Sequence, residues 1–161
     1  MRKQHQAPPL FNRTPTSTTE DAKRLISGAR KVQDQVSQNV HPDSATFANA
    51  LLPLAHSRNA FHSDSNILCF YKDASSDPNL RNASGAAQQV LNDRHLETGM
   101  RENLFQLIDA VSQKNEDLDP ESHLLLEKES KDYIRDGLGL PAGAQCERFK
   151  EIRQRISQLK D

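Results

Sequence analysis

The dipeptide Asp-Pro occurs twice, at Asp77-Pro78 and Asp119-Pro120, and each time apolar residues follow at helical spacing. An aspartate carboxylate accepts from the free N–H groups of a first helical turn, and a proline at the first helical position has no N–H to leave unpaired. Two helix starts are thereby fixed. Behind the first come Leu80, Ala83, Ala87 and Leu91, then Met100, Leu104, Ile108 and Val111. Gly99 separates the two stripes, so either one long helix runs to about residue 113 or the chain bends at Gly99. Behind the second start, Leu124, Leu125, Tyr133 and Ile134 supply the apolar face, and Gly137 is the terminator, since glycine adopts the left-handed conformation cheaply.

The rest of the chain repeats the pattern. Ser17 and Glu20 have capping-box spacing, with Thr18 and Thr19 as rival caps. Leu25, Ala29, Val32 and Val36 then form one stripe, which His41-Pro42-Asp43 ends. A second helix is expected from about Ser44, with Phe47, Leu51 and Leu54 inward and a kink at Pro53. Ile67-Leu68-Cys69-Phe70-Tyr71 reads as a further helix capped by Asp64 or Ser65. The last helix carries Phe149, Ile152, Ile156 and Leu159. No segment alternates apolar and polar residues as a half-buried strand does. The predicted fold class is all-α, an antiparallel bundle of about six helices over residues 16–161, behind a flexible Pro-containing leader over residues 1–15.

Composition narrows what such a bundle does. Apolar residues are 35% of the chain, aromatics 5%, and Trp is absent, so the apolar stripes are thin. With 21 Lys and Arg against 22 Asp and Glu, intermixed in sign, no basic stripe exists to neutralise phosphates, which argues against nucleic acid as a partner. No apolar run reaches the ~20 residues that span a bilayer, and no apolar stretch follows Met1-Arg2-Lys3 as in a secretory signal. A cytoplasmic protein with two reduced thiols, Cys69 and Cys146, is expected.

Catalytic chemistry is sought and not found. A helical zinc protease site needs H-E-x-x-H, which puts two histidines on one face with a glutamate as general base. None of His5, His41, His56, His62, His95 and His123 stands in that pattern. His123 and Glu127 share a helical face, but a lone pair of this kind is an ordinary surface contact. His95-Leu96-Glu97 has the spacing of zinc deaminases without the P-C-x-x-C partner. There is no C-x-x-C, phosphate loop or nucleophile elbow. The acidic run Glu116, Asp117, Asp119 and Glu121 reads as a solvated loop favouring the next helix start. No catalytic, cofactor-binding or metal-binding residue is assigned.

Several segments taken together carry a resemblance. Ala7-Pro8-Pro9-Leu10-Phe11 with Thr14-Pro15 resembles the opening of the thimet oligopeptidase, neurolysin and saccharolysin family, its fungal members above all. Asp77-Pro78-Asn79-Leu80-Arg81 and Met100-Arg101-Glu102-Asn103-Leu104-Phe105 are similar to later family segments. Tyr133-Ile134-Arg135-Asp136-Gly137-Leu138-Gly139-Leu140 resembles its Tyr-x-Arg-x-Gly-hydrophobic-x-Leu stretch, the most specific match, and Lys150-Glu151-Ile152 continues it. The resemblance implies the N-terminal helical domain of a zinc endopeptidase that cuts short peptides inside a deep channel, this domain forming one wall. The family's H-E-x-x-H and its third ligand, a glutamate, come later and have no counterpart here, so zinc belongs to the complete enzyme and no catalytic residue is carried over.

Two readings follow. The first is the non-catalytic channel-wall part of such an oligopeptidase, cut short in its last helix. Its partners would be a complementing catalytic chain, or a second copy, against the face with Phe149, Ile152, Ile156 and Leu159. The second is a stand-alone helical interaction module without enzymatic activity.

Overall fold

The computed structural model describes residues 9–140 and 143–159, and leaves the side chains of residues 144–146, 150, 154 and 157–159, Cys146 and Leu159 among them, outside the description. Pro8 and the segment before it, and Pro141, also lie outside the described residues. Six α-helices and no strand occur among the described residues.

The first helix, α1, spans Pro15–Asn39. Its capping box is formed by Thr14 and Ser17: Thr14 Oγ1 accepts from the Ser17 N–H at 3.2 Å, and Ser17 Oγ accepts from the Thr14 N–H at 2.9 Å. The expected box at Ser17 and Glu20 is therefore displaced by three residues. Pro15 is the reason: a helix containing it can only begin there.

After one 3₁₀ turn at Pro42–Ser44 the chain is capped again, by Thr46, and enters a wide turn, Phe47–Leu51, in which the Leu52 N–H donates to the Phe47 carbonyl. This widened turn runs directly into α2, Leu52–Ala74. Pro53 has no N–H and crowds the carbonyl four residues back, and the wide turn makes room for it. The patch Ile67–Tyr71 is not a separate helix capped at Asp64 or Ser65. No Gly or Pro interrupts residues 54–77, so α2 continues through it.

The two Asp-Pro starts are realised. Asp77 Oδ1 accepts from the Asn79 N–H at 2.9 Å and opens α3, Pro78–Gly99. Asp119 Oδ1 accepts from the N–H groups of Glu121 and Ser122 at 3.0 and 3.1 Å and opens α5, Pro120–Tyr133. Between them the chain breaks after Gly99 and continues as α4, Glu102–Gln113. A second wide turn, Ile134–Leu138, leads to α6, Ala144–Leu159, and Gly137 takes φ +105° within it.

Packing falls into two parts. α1, α2 and α3 lie against one another through small contacts: Ala22 with Leu68 and Ala87, and Ala29 with Phe61 and Leu91. α4 is the centre of the larger core, in which Leu104, Leu107, Ile108 and Val111 meet Val36, Phe47, Leu51, Leu126 and Tyr133. On α5 the buried residues are Leu126, Glu129 and Tyr133, whereas Leu124 and Ile134 face solvent. That differs from the expected face of Leu124, Leu125, Tyr133 and Ile134. Once Tyr133 is inward, the residues four and seven before it, Glu129 and Leu126, must follow it inward.

The acidic run also acts differently from the sequence reading. Asp119 caps α5 as expected, but Glu116 reaches back to the start of the first wide turn and accepts from the Phe47 N–H at 3.1 Å. Beside it, Lys114 Nζ donates to the carbonyls of Asp43 and Ala45 at 2.6 and 2.7 Å.

Candidate functional site

A cleft of about 700 Å³ opens between α2, α3 and α5, with α1 behind it and Arg153 of α6 at its edge. Its apolar lining includes Leu54, Phe61 and Leu91, and its polar lining combines neutral side chains with four arginines and three carboxylates. Arg58 of α2 is ion-paired with Glu129 of α5. Burial pushes the Glu129 carboxyl up, against the opposing pull of Arg58. Arg135 pairs with Asp132 at 3.5 Å, an exposed contact worth little. Arg153 pairs with Asp136 and lies 5.9 Å from the Phe149 ring.

Arg94 of α3 is different. It is buried, its guanidinium stands 4.5 Å over the Phe61 ring, and its Nε has no hydrogen-bond partner. Burial draws its pKa down. Glu97, one turn on, is taken by Arg30 at 2.6 Å. The cation–π contact offsets part of the desolvation, on the order of 2 kcal/mol for a desolvated pair. His62 and His95 also line the cleft; partial burial and the nearby Arg58 draw the His62 pKa down.

Two glycines shape the α6 side. At Gly99 a Cβ would overlap the Asp136 carboxylate, so the end of α3 approaches Asp136 only as glycine. At Gly137 the backbone is left-handed and a Cβ would stand 2.6 Å from Phe149 Cδ1. Phe149 is thus turned inward and half-buried on Gly137, while Ile152 and Ile156 on the same helix are each 45% exposed.

The histidines and carboxylates with ligand-like spacing in the sequence do not gather. Glu127 is ion-paired with Lys131, not matched with His123 as a ligand pair. Among the described residues no group of three or more His, Cys, Asp and Glu is placed to hold a metal ion. The described residues therefore do not fit the family's zinc, and no reaction step is assigned to them. Cys69 is a free, half-buried thiol whose pKa burial pushes up, the opposite of an activated nucleophile. Among the described residues no helix is long and apolar enough to cross a membrane.

No protein-family model matches the chain. Similarity to curated proteins is extensive. Oligopeptidase PhomG' of Diaporthe leptostromiformis is 31% identical over 159 residues, which is 96% of this chain and 13% of that protein. Saccharolysin of Saccharomyces cerevisiae is 28% identical over 156 residues, 94% of this chain and 21% of its own length. A probable thimet oligopeptidase of Arabidopsis thaliana is 28% identical over 138 residues, 86% of this chain and 19% of its own length. The chain is related to the thimet oligopeptidase and saccharolysin family. It spans about one eighth to one fifth of the length of these oligopeptidases.

The segments that resemble thimet-like oligopeptidases turn out to be joints of the helical frame. Arg81 Nη1 donates to the carbonyls of Ser75 and Ser76 at 2.9 and 3.1 Å, closing the turn between α2 and α3. Arg101 ties the start of α4 to Asp34 of α1 at 2.7 Å. In Tyr133–Leu140, Tyr133 enters the main core, Asp136 holds Arg153, and Gly137 seats Phe149. At the other end, Phe11 packs on Phe70 and Tyr71 at ring distances of 5.4 and 6.1 Å, and the Arg13 N–H donates to the Tyr71 hydroxyl at 3.1 Å. The cleft and its unpaired Arg94 were not found by sequence reasoning. The signal available was weak: an Arg in the helical register of Leu80, Ala87 and Leu91, on the buried side of α3.

Proposed function

We propose that this chain is a helical wall of a thimet-like oligopeptidase, non-catalytic by itself, which borders the space where short peptides are cut. The observation that carries this reading is similarity along 96% of the chain to oligopeptidases of which it spans only 13–20%, with no H-E-x-x-H in its 161 residues. Hydrolysis through zinc requires three protein ligands and an open position for water, so the peptide-cleaving centre belongs to other parts of such an enzyme. A cytoplasmic location fits the same reading, as does packing of the exposed Ile152 and Ile156 against a complementing catalytic chain or a second copy.

The test is reconstitution. The purified chain alone is expected to hold no stoichiometric zinc and to leave a quenched fluorescent peptide intact. Added to a saccharolysin variant lacking the matching segment, it is expected to restore chelator-sensitive cleavage. Cleavage by the chain alone, or failure to assemble with the deleted relative, overturns the proposal. Ile152→Glu with Ile156→Glu is expected to weaken that assembly while leaving the far-ultraviolet circular dichroism of the chain unchanged.

A further inference from the structure

Four arginines and three carboxylates line the cleft between α2, α3 and α5. Arg58 is paired with Glu129, Arg135 with Asp132 and Arg153 with Asp136, which leaves Arg94 over. Arg94 is only 9% exposed, and its Nε is buried without a partner. The Nε of Arg153 is a second buried donor without a partner on the same cleft. A guanidinium stays charged, and five N–H donors in a planar fork match the two oxygens of a carboxylate. Burying such a group without an anion is costly, so the arrangement is complete only when an anion enters.

We propose that this cleft is a carboxylate-binding site, with Arg94 as its anchor and Arg153 as a flanking donor. One excess positive charge matches one carboxylate, whereas a phosphate dianion would face repulsion from Glu129, Asp132 and Asp136. The apolar wall formed by Leu54, Phe61 and Leu91 suits the side chain next to that carboxylate, and the volume of about 700 Å³ falls in the range of small-ligand sites. The carboxylate is either the C-terminus of a short peptide or an aspartate or glutamate side chain. The assignment stands on the side chains of this chain and holds whether or not the chain works within an oligopeptidase.

The experiment is an NMR titration of the full 161-residue chain with three N-acetylated tetrapeptides. The first has a free C-terminus and no acidic side chain, the second a C-terminal amide and one glutamate, the third a C-terminal amide and no charge. Saturable shifts of the Arg94 Nε–H and of the His62 ring are expected with the first, the second or both, and none with the third. Binding of the first alone assigns a peptide C-terminus, and of the second alone a side chain. Arg94→Gln is expected to weaken binding about tenfold or more, the scale of one lost charge-assisted hydrogen bond. Arg94→Lys, which keeps the charge, is expected to weaken it less. If Arg94→Gln does not fold, the three-peptide titration of the unaltered chain decides. Equal binding of the uncharged peptide, or no shift with any peptide at millimolar concentration, overturns the proposal.

Discussion

Around α4 the interior is filled by long aliphatic side chains, with Leu51, Leu104, Ile108 and Val111 fully buried. Between α1, α2 and α3 the small residues Ala22, Ala29, Ala87 and Ser84 meet a few large ones, Phe61, Leu68 and Leu91, and charged side chains stand close behind them. The first region excludes water by volume. The second brings helices together by small residues and by hydrogen bonds between side chain and backbone, and leaves a polar cleft beside that contact. With apolar residues at 35% of the chain, one region takes most of the large ones and the other must be held by different means.

The contrast is open to direct attack. The largest effect is expected in the α4 core: Ile108→Ala removes a fully buried side chain and should cost about 2–5 kcal/mol. Against a total stability of ~5–15 kcal/mol, a urea melt will show this plainly. A loss below ~1 kcal/mol would mean that the site collapses easily and that the two regions are packed alike.

The next effect belongs to the other region. Ser84 of α3 donates to the Leu68 carbonyl at 2.6 Å and accepts from the Lys72 N–H at 2.9 Å, so its hydroxyl bridges two groups four residues apart in α2. Ser84→Ala removes little volume, yet it breaks the side-chain bridge from α3 to the Leu68 carbonyl and the Lys72 N–H, which can still pair with each other along α2, and should cost about 0.5–1.5 kcal/mol. Hydrogen exchange is expected to speed up locally at the Lys72 amide. Unchanged protection there would show that packing alone joins α2 to α3.

The smallest effect is a pH dependence on the cleft side. The His62 pKa in the folded chain lies below its ordinary value of about 6.5, so folding favours the neutral ring. The associated stability is fully present above that ordinary value and is lost as pH falls through the folded one. His62→Gln should therefore flatten the acid side of a stability–pH curve, slightly, because the ring is exposed and screened. An identical slope in both proteins would remove His62 from the electrostatics of the cleft.

These regions were not equally legible in the sequence. Asp77-Pro78 and Asp119-Pro120 announce their helices because capping is local, settled within three residues of the cap. The stripe Leu104, Ile108 and Val111 is legible for a similar reason: its period is written in one helix. The cap at Thr14 was missed where Pro15 should have outweighed the spacing of Ser17 and Glu20. The α5 face was missed because Leu124, Leu125 and Leu126 are consecutive, and only the inward Tyr133 chooses among them. Arg94 was beyond reach, since being left over depends on which partners arginines from three other elements have already taken. The resembling segments were legible as lineage, and their role as joints became visible only with their neighbours in place.

Lys114 and Glu116 clamp the segment that leads into α2, at Ala45 and Phe47, from 69 residues further along the chain. Helices of this length form within about a microsecond, but the clamp cannot form until a loop of that size has closed. The order of events in folding is thereby constrained. The segment from Pro42 to Leu51 can settle on α4 only after α3 has folded back or the intervening chain has made room, so its arrival, not helix formation, is expected to set the folding rate. A newly made chain that has emerged only as far as Asn103 would have its first three helices and nothing on which to seat Phe47 and Leu51.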